Sequence, residues 1–205
     1  PIVVNNYNTT VAEEPTDSTA APQAMPKAPA AESPQTTEAY QLFDQALAAF
    51  KKGNYQDALR LVQKGLPKAP QDQAMHEVAA LCLFATGEYP QAAAVLNNLL
   101  SVAPGMDWTT LCGLYSSVDA YTEQLRALEA YCRQKPNDAA GHFVLAYHYL
   151  IIGNSDAATM QLKFVTALQP GDQVAKRMLQ ALTPPAAETT AESAKPAPTA
   201  DAPAA

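Results

Sequence analysis

The chain has 205 residues, a formal net charge of −7 and 16% charged residues. Its longest apolar runs, such as Ala79–Ala85, hold only a few residues, far short of the roughly 20 needed to cross a bilayer. The charge also lies in the wrong place for a polyanion or an anionic lipid surface: residues 1–38 carry −4, residues 183–205 carry −2 and the middle only −1, so no basic patch for nucleic acid is expected.

Composition divides the chain at the same points. Residues 1–38 and 183–205 hold 11 of the 17 prolines, no glycine, no cysteine and a single aromatic, Tyr7. Such Pro/Ala/Thr/Glu mixtures cannot bury enough apolar surface to order themselves, so both flanks are expected to be disordered. The foldable unit is residues 39–182, a size that suits one domain.

Within it, hydrophobic residues recur at three- and four-residue steps. In chain order the pattern predicts helices near 39–52, 55–67, 72–86, 89–101, 107–116, 119–134, 138–152 and 155–168, and a last one near 172–182. Leu42, Ala46, Ala49 and Phe50 mark the first stripe, and Ala58, Leu61, Val62 and Leu66 the second. Gly53, Gly87 and Gly153 fall where the backbone leaves a helix with positive φ. Pro70, Pro104, Pro136 and Pro170 mark the breaks between pairs of helices. Asp107 is placed to cap the fifth helix, and Ser117 or Asp119 the sixth.

A period of 34 residues runs through these elements. Gly53 and Gly87, Tyr55 and Tyr89, Ala58 and Ala92, Pro70 and Pro104, and Pro136 and Pro170 are each 34 apart, whereas Pro104 and Pro136 are 32 apart. With the G-x-Y-x-x-A core in GNYQDA and GEYPQA and the closing proline, the pattern resembles the tetratricopeptide repeat, here between low-complexity Pro/Ala-rich flanks of a kind met in bacterial members. The resemblance covers about 39–182 and implies an all-α, right-handed superhelical solenoid. It would consist of four helix-turn-helix units, about 39–72, 73–106, 107–138 and 139–171, closed by a capping helix at 172–182. The sequence departs from the pattern at Leu42 and His76, where a large aromatic is typical, at Asp119, where glycine is typical, and at Ser155 in place of tyrosine.

The resemblance further implies a module that binds a protein or peptide in a concave groove lined by the first helix of each unit. The groove positions would be Tyr40, Phe43, Leu47 and Phe50, then Glu77, Leu81 and Phe84, then Thr109, Gly113 and Ser116, and finally Phe143, Tyr147 and Leu150. This lining is apolar and aromatic, which suits an amphipathic helix or an apolar extended segment. Packing between neighbouring helices is the other role open to Phe43, Phe50, Phe84 and Phe143. Relatives that hold a C-terminal carboxylate do so with basic and amide residues on these helices; here only Lys51 and Lys52 are offered, at the end of the first, so that type of receptor is not expected. In the third unit Trp108, Leu111 and Tyr115 share related faces of a short helix interrupted by Gly113, which makes Trp108 a candidate docking residue.

Catalytic and metal chemistry find no constellation. His76, His142 and His148 are the only histidines; the last two are six positions apart and point in different directions on a helix, and His76-Glu77 lacks the second histidine of a zinc motif. No phosphate loop and no nucleophile with a base and orienter is recognisable. The chain is therefore read as a non-enzyme without metal or cofactor. Cys82, Cys112 and Cys132 lie within helical stripes and read as free thiols; their odd number without C-x-x-C gives no disulfide framework. The functional expectation is an adaptor or scaffold that binds a protein or peptide partner. A self-associating structural component of a bacterial envelope is the alternative. The Pro/Ala spacers suit a bacterial envelope or periplasmic setting, with the cytoplasm as the alternative.

Overall fold

The computed structural model describes residues 34–183; the flanks expected to be disordered lie outside these residues, apart from Pro34–Glu38 and Thr183. Among the described residues the chain is all-α: α1 (Pro34–Lys51), α2 (Tyr55–Gly65) continued by a 3₁₀ turn at Leu66–Lys68, α3 (Gln73–Ala85), α4 (Tyr89–Val102), α5 (Trp108–Leu114), α6 (Val118–Gln134), α7 (Ala139–Ile151), α8 (Ser155–Leu168) and α9 (Gln173–Leu182). Each expected helix is present within a few residues of its expected bounds. The first begins at Pro34 rather than near residue 39, because a proline at the opening of a helix gives up no intrahelical bond.

Local chemistry accounts for the boundaries. Gly53, Gly87 and Gly153 end α1, α3 and α7 with φ of 80°, 80° and 77°, a backbone region where a Cβ is strained. The unit boundaries repeat a Pro-x-Asp signal. Asp72, Asp138 and Asp172 cap α3, α7 and α9 by accepting from the backbone N–H of Met75 (2.9 Å), Ala140 (3.1 Å) and Ala175 (2.9 Å). The Nε2–H of His76 donates to the Pro70 carbonyl at 2.9 Å, and His142 repeats the contact with Pro136 at 3.0 Å, so a position where the repeat usually has an aromatic clamps the preceding turn. Asp107 and Ser117 cap α5 and α6 by accepting from Thr110 and Ala120.

Helix sequence also decides burial. α3 (QAMHEVAALCLFA) and α7 (AAGHFVLAYHYLI) are apolar almost all round, and residues 77–84 and 141–148 are buried without a gap, as a helix at the centre of a core requires. α2 and α6 are amphipathic and bury one stripe each, Ala58, Val62 and Gly65 in α2 and Tyr121, Leu125, Leu128 and Cys132 in α6.

Helices stack as a repeat solenoid from α1 to α4 and from α7 to α9, and the two runs are continuous because α4 packs on α7 as α2 packs on α3. Chain order and stacking order part at the third unit. α4 also touches α9, while α5 rests on α1 and α6 on α3 and α7. The third unit is two residues shorter than the others, and its first helix has only 7 residues, too few to stand as a wall between α4 and α7. The fourth unit therefore follows the second directly in the stack.

Candidate functional site

The expected groove positions are the natural place to look for a site, and the fold sorts them into three groups. In the first unit Tyr40 is 38% exposed, Phe43 and Leu47 are half-buried, and Phe50 is buried. Tyr40 borders an open depression of about 640 Å³ whose floor is the Ala69–Ala74 turn and the side of Glu77. This is the stretch of the first-helix face where apolar side chains remain accessible.

The second group is filled by the chain itself. Leu81 and Phe84 are each 1% exposed. The Phe84 ring lies 3.9 Å, centroid to centroid, from His148 and 6.3 Å from Tyr121, and Phe50 meets Tyr115 edge-on at 5.0 Å. For Phe50, Leu81 and Phe84, packing rather than open lining is the role observed. Glu77 turns its carboxylate inward, where Oε1 accepts from the backbone N–H of Met106 (2.6 Å) and the Tyr147 hydroxyl (3.2 Å). Burial raises the Glu77 carboxyl above its usual range, against the lowering effect of those two bonds. The Tyr147 hydroxyl is likewise pushed up, first by burial and then by the Glu77 charge.

The third group faces α4. Ala140, Phe143, Tyr147 and Leu150 occupy the same positions in the fourth unit as Tyr40, Phe43, Leu47 and Phe50 in the first. Phe143 is 2% and Tyr147 3% exposed. Ala140 and Phe143, with Val174 of α9, line one side of an open surface depression whose other side is α4. Tyr147 covers Gly105, where an added Cβ would stand 2.6 Å from its ring and 3.4 Å from Leu100; only glycine lets the α4–α5 connection pass beneath the ring. Two polar contacts edge this surface. Asn97 of α4 donates to both Asp172 oxygens (3.0 and 2.9 Å), and Arg177 of α9 reaches the Ser101 carbonyl at 3.4 Å. The sequence puts Asp172 and Arg177 among the water-facing residues of the closing helix and singles out nothing at Asn97; the structure sets Asp172 and Arg177 against α4.

In the third unit Trp108 is 38% exposed and meets Tyr121 edge-on at 5.6 Å. Thr109, Gly113 and Ser116 are exposed, and none of them lines the depression beside Tyr40. A separate apolar stripe runs along α8, where Met160, Phe164 and Leu168 are 60%, 47% and 37% exposed. Cys82, Cys112 and Cys132 are free. Among the described residues no helix is long and apolar enough to cross a membrane.

Residues 43–107, which carry the two regular boundaries at Pro70 and Pro104, match the family model described as tetratricopeptide repeat. That stretch is similar to the tetratricopeptide repeat. No curated protein matches it in sequence. Among solved structures, the first tetratricopeptide domain of Spaghetti (RPAP3) bound to the HSP90 peptide SRMEEVD aligns at 15% identity over 72% of this chain and 91% of that one, with a TM-score of 0.33. MamA from Desulfovibrio magneticus RS-1, residues 41 to the end, aligns at 18% identity over 71% of this chain and 83% of that one, also at 0.33. At TM-scores of that size neither likeness bears on what this chain binds. The resemblance rests on residues 43–107, and repeats of that family are protein–protein interaction modules.

Proposed function

We propose that the protein is a non-catalytic adaptor that holds an apolar or amphipathic segment of a partner protein against the first-helix face of its first two units. The observation that carries this reading is the accessible row Tyr40, Phe43 and Leu47 beside the depression bounded by Ala69–Ala74 and Glu77. A preformed row of this kind binds with little loss of conformational freedom, and a half-exposed tyrosine offers both ring area and a hydroxyl. The reading is tested by capture from native lysate on the full chain, run beside a Tyr40→Ala/Phe43→Ser variant that circular dichroism shows to be folded. A partner held by the parent and bound at least tenfold more weakly by the variant is the expected result. Equal retention by both would place the contact elsewhere.

The exposed stripe on α8 favours one second reading, self-association as a structural component. Met160, Phe164 and Leu168 stand four residues apart on one face of α8, the spacing by which helices pack on each other. Light scattering on the same preparation decides between them: a monomer at working concentration speaks for the adaptor, and a dimer dispersed by Met160→Glu/Phe164→Glu for the structural role.

A further inference from the structure

We infer that the partner segment places a lysine side chain in the depression beside Tyr40, with its ammonium on Oε2 of Glu77. The inference rests on the reading of the Tyr40 row as the binding face and adds the chemistry that this face selects.

The carboxylate of Glu77 is only half satisfied by the fold. Its side chain is 9% exposed, and a carboxylate buried to that extent is normally hydrogen-bonded at both oxygens or paired with a cation. Oε1 is taken: it accepts from the Met106 N–H at 2.6 Å and the Tyr147 hydroxyl at 3.2 Å. Oε2 has no partner among the described residues, and it is not sealed from solvent as His148 Nε2 is. The surface that Glu77 does show borders the Tyr40 depression, so Oε2 opens there.

The charges around the depression ask for a cation. Its other lining residues are Tyr40 and the Ala69–Ala74 turn, which holds no base; Lys68, just before the turn, is held by Glu38 at 2.8 Å. Asp72 adds a second carboxylate, and its cap on Met75 offsets the positive end of the α3 dipole that would otherwise draw an anion. Complementarity therefore calls for positive charge on the partner. The single free oxygen decides which kind. A guanidinium grips a carboxylate through both oxygens, and here one is already used, whereas an ammonium needs one acceptor. Tyr40 supplies a half-exposed ring along which a lysine stem lies while its charge reaches Glu77. The partner so described is an apolar segment interrupted by one lysine.

The test uses the full chain and a fluorescein-labelled helical peptide of leucine, alanine and glutamine, about 15 residues long, with one lysine in the middle of its leucine face, followed by anisotropy. A twin peptide carries norleucine there, which keeps the stem and removes the charge. Glu77→Gln keeps an Oε1 acceptor for Met106 and Tyr147 while removing the carboxylate charge, and circular dichroism confirms its fold. The parent should bind the lysine peptide about tenfold more tightly than its twin, the worth of one hydrogen bond to a charged group, and Glu77→Gln should erase that preference. Equal binding of the two peptides by the parent would overturn the inference, as would a preference that survives Glu77→Gln, or no binding of either peptide. The Tyr40→Ala/Phe43→Ser variant separates this inference from the adaptor reading. Equal binding of both peptides that is lost in that variant would leave the row standing without the lysine; a Glu77-dependent preference undiminished in it would keep the lysine and remove the row.

Discussion

Phe84→Ala should lower the unfolding free energy by about 3–5 kcal/mol, the range for removing a fully buried phenylalanine, and the Tm by roughly 10 °C. The size of the effect follows from where the ring sits. Phe84 belongs to α3, but its ring neighbours are Tyr121 of α6 and His148 of α7, so its removal opens a cavity shared by the two stacked runs of the solenoid. Urea unfolding followed by helical dichroism measures the loss. Tyr40→Ala, at a 38% exposed position in the equivalent helix of the first unit, should cost less than about 1 kcal/mol. If the two substitutions cost the same, Phe84 would not be joining the two runs.

The second large effect is a loss of stability in acid caused by His148. Its side chain is fully buried, Nε2 has no hydrogen-bond partner, and Nδ1 stands 3.3 Å from the Tyr121 hydroxyl. Burial lowers its pKa from 6.5 to about 3. The native protein therefore holds the imidazole neutral at pH values where the unfolded chain takes up a proton. Stability is complete above pH 6.5 and falls by about 1.4 kcal/mol for each pH unit below it, until the native imidazole protonates near pH 3. Glu77 works in the opposite sense. Its raised pKa makes the native state bind a proton more readily than the unfolded one, so its contribution grows as pH falls through that pKa and softens the acid limb. Urea midpoints at pH 7, 5.5 and 4.5 should fall steeply for the parent and less steeply for His148→Phe; parallel slopes would rule out a neutral buried His148. At pH 7 the substitution removes the partnerless Nε2 but also takes Nδ1 from the buried Tyr121 hydroxyl, so it should cost about 1–3 kcal/mol.

The elements and their order were legible in the sequence because the signals that set them are local. A glycine forced to positive φ, an aspartate two residues after a proline and an apolar stripe at helical spacing act over a few residues, whatever the rest of the chain does. The state of the groove was not legible. Phe43 and Phe143 hold the same repeat position and match the same template, yet one remains accessible and the other is shut against α4. Their difference arises in the third unit, where a repeat two residues short and a helix of 7 residues let α4 reach α7. Sequence showed the irregularity and gave no measure of its reach, since that depends on contacts between residues more than forty positions apart, such as Glu77 with Tyr147 and Asn97 with Asp172.

The three thiols give the fold a chemical clock. Burial pushes Cys82 in α3 and Cys132 in α6 up to about 12, so at neutral pH almost none of either is thiolate, the form that attacks an alkylating reagent. Cys112, half-buried in the short α5, is raised as well but stands nearer to solvent. A pulse of iodoacetamide should therefore mark Cys112 first, Cys132 when α6 lifts from α7, and Cys82 only when the centre of the first run opens. The order of labelling would time the loosening of each layer in the unmodified protein, with no probe added to it.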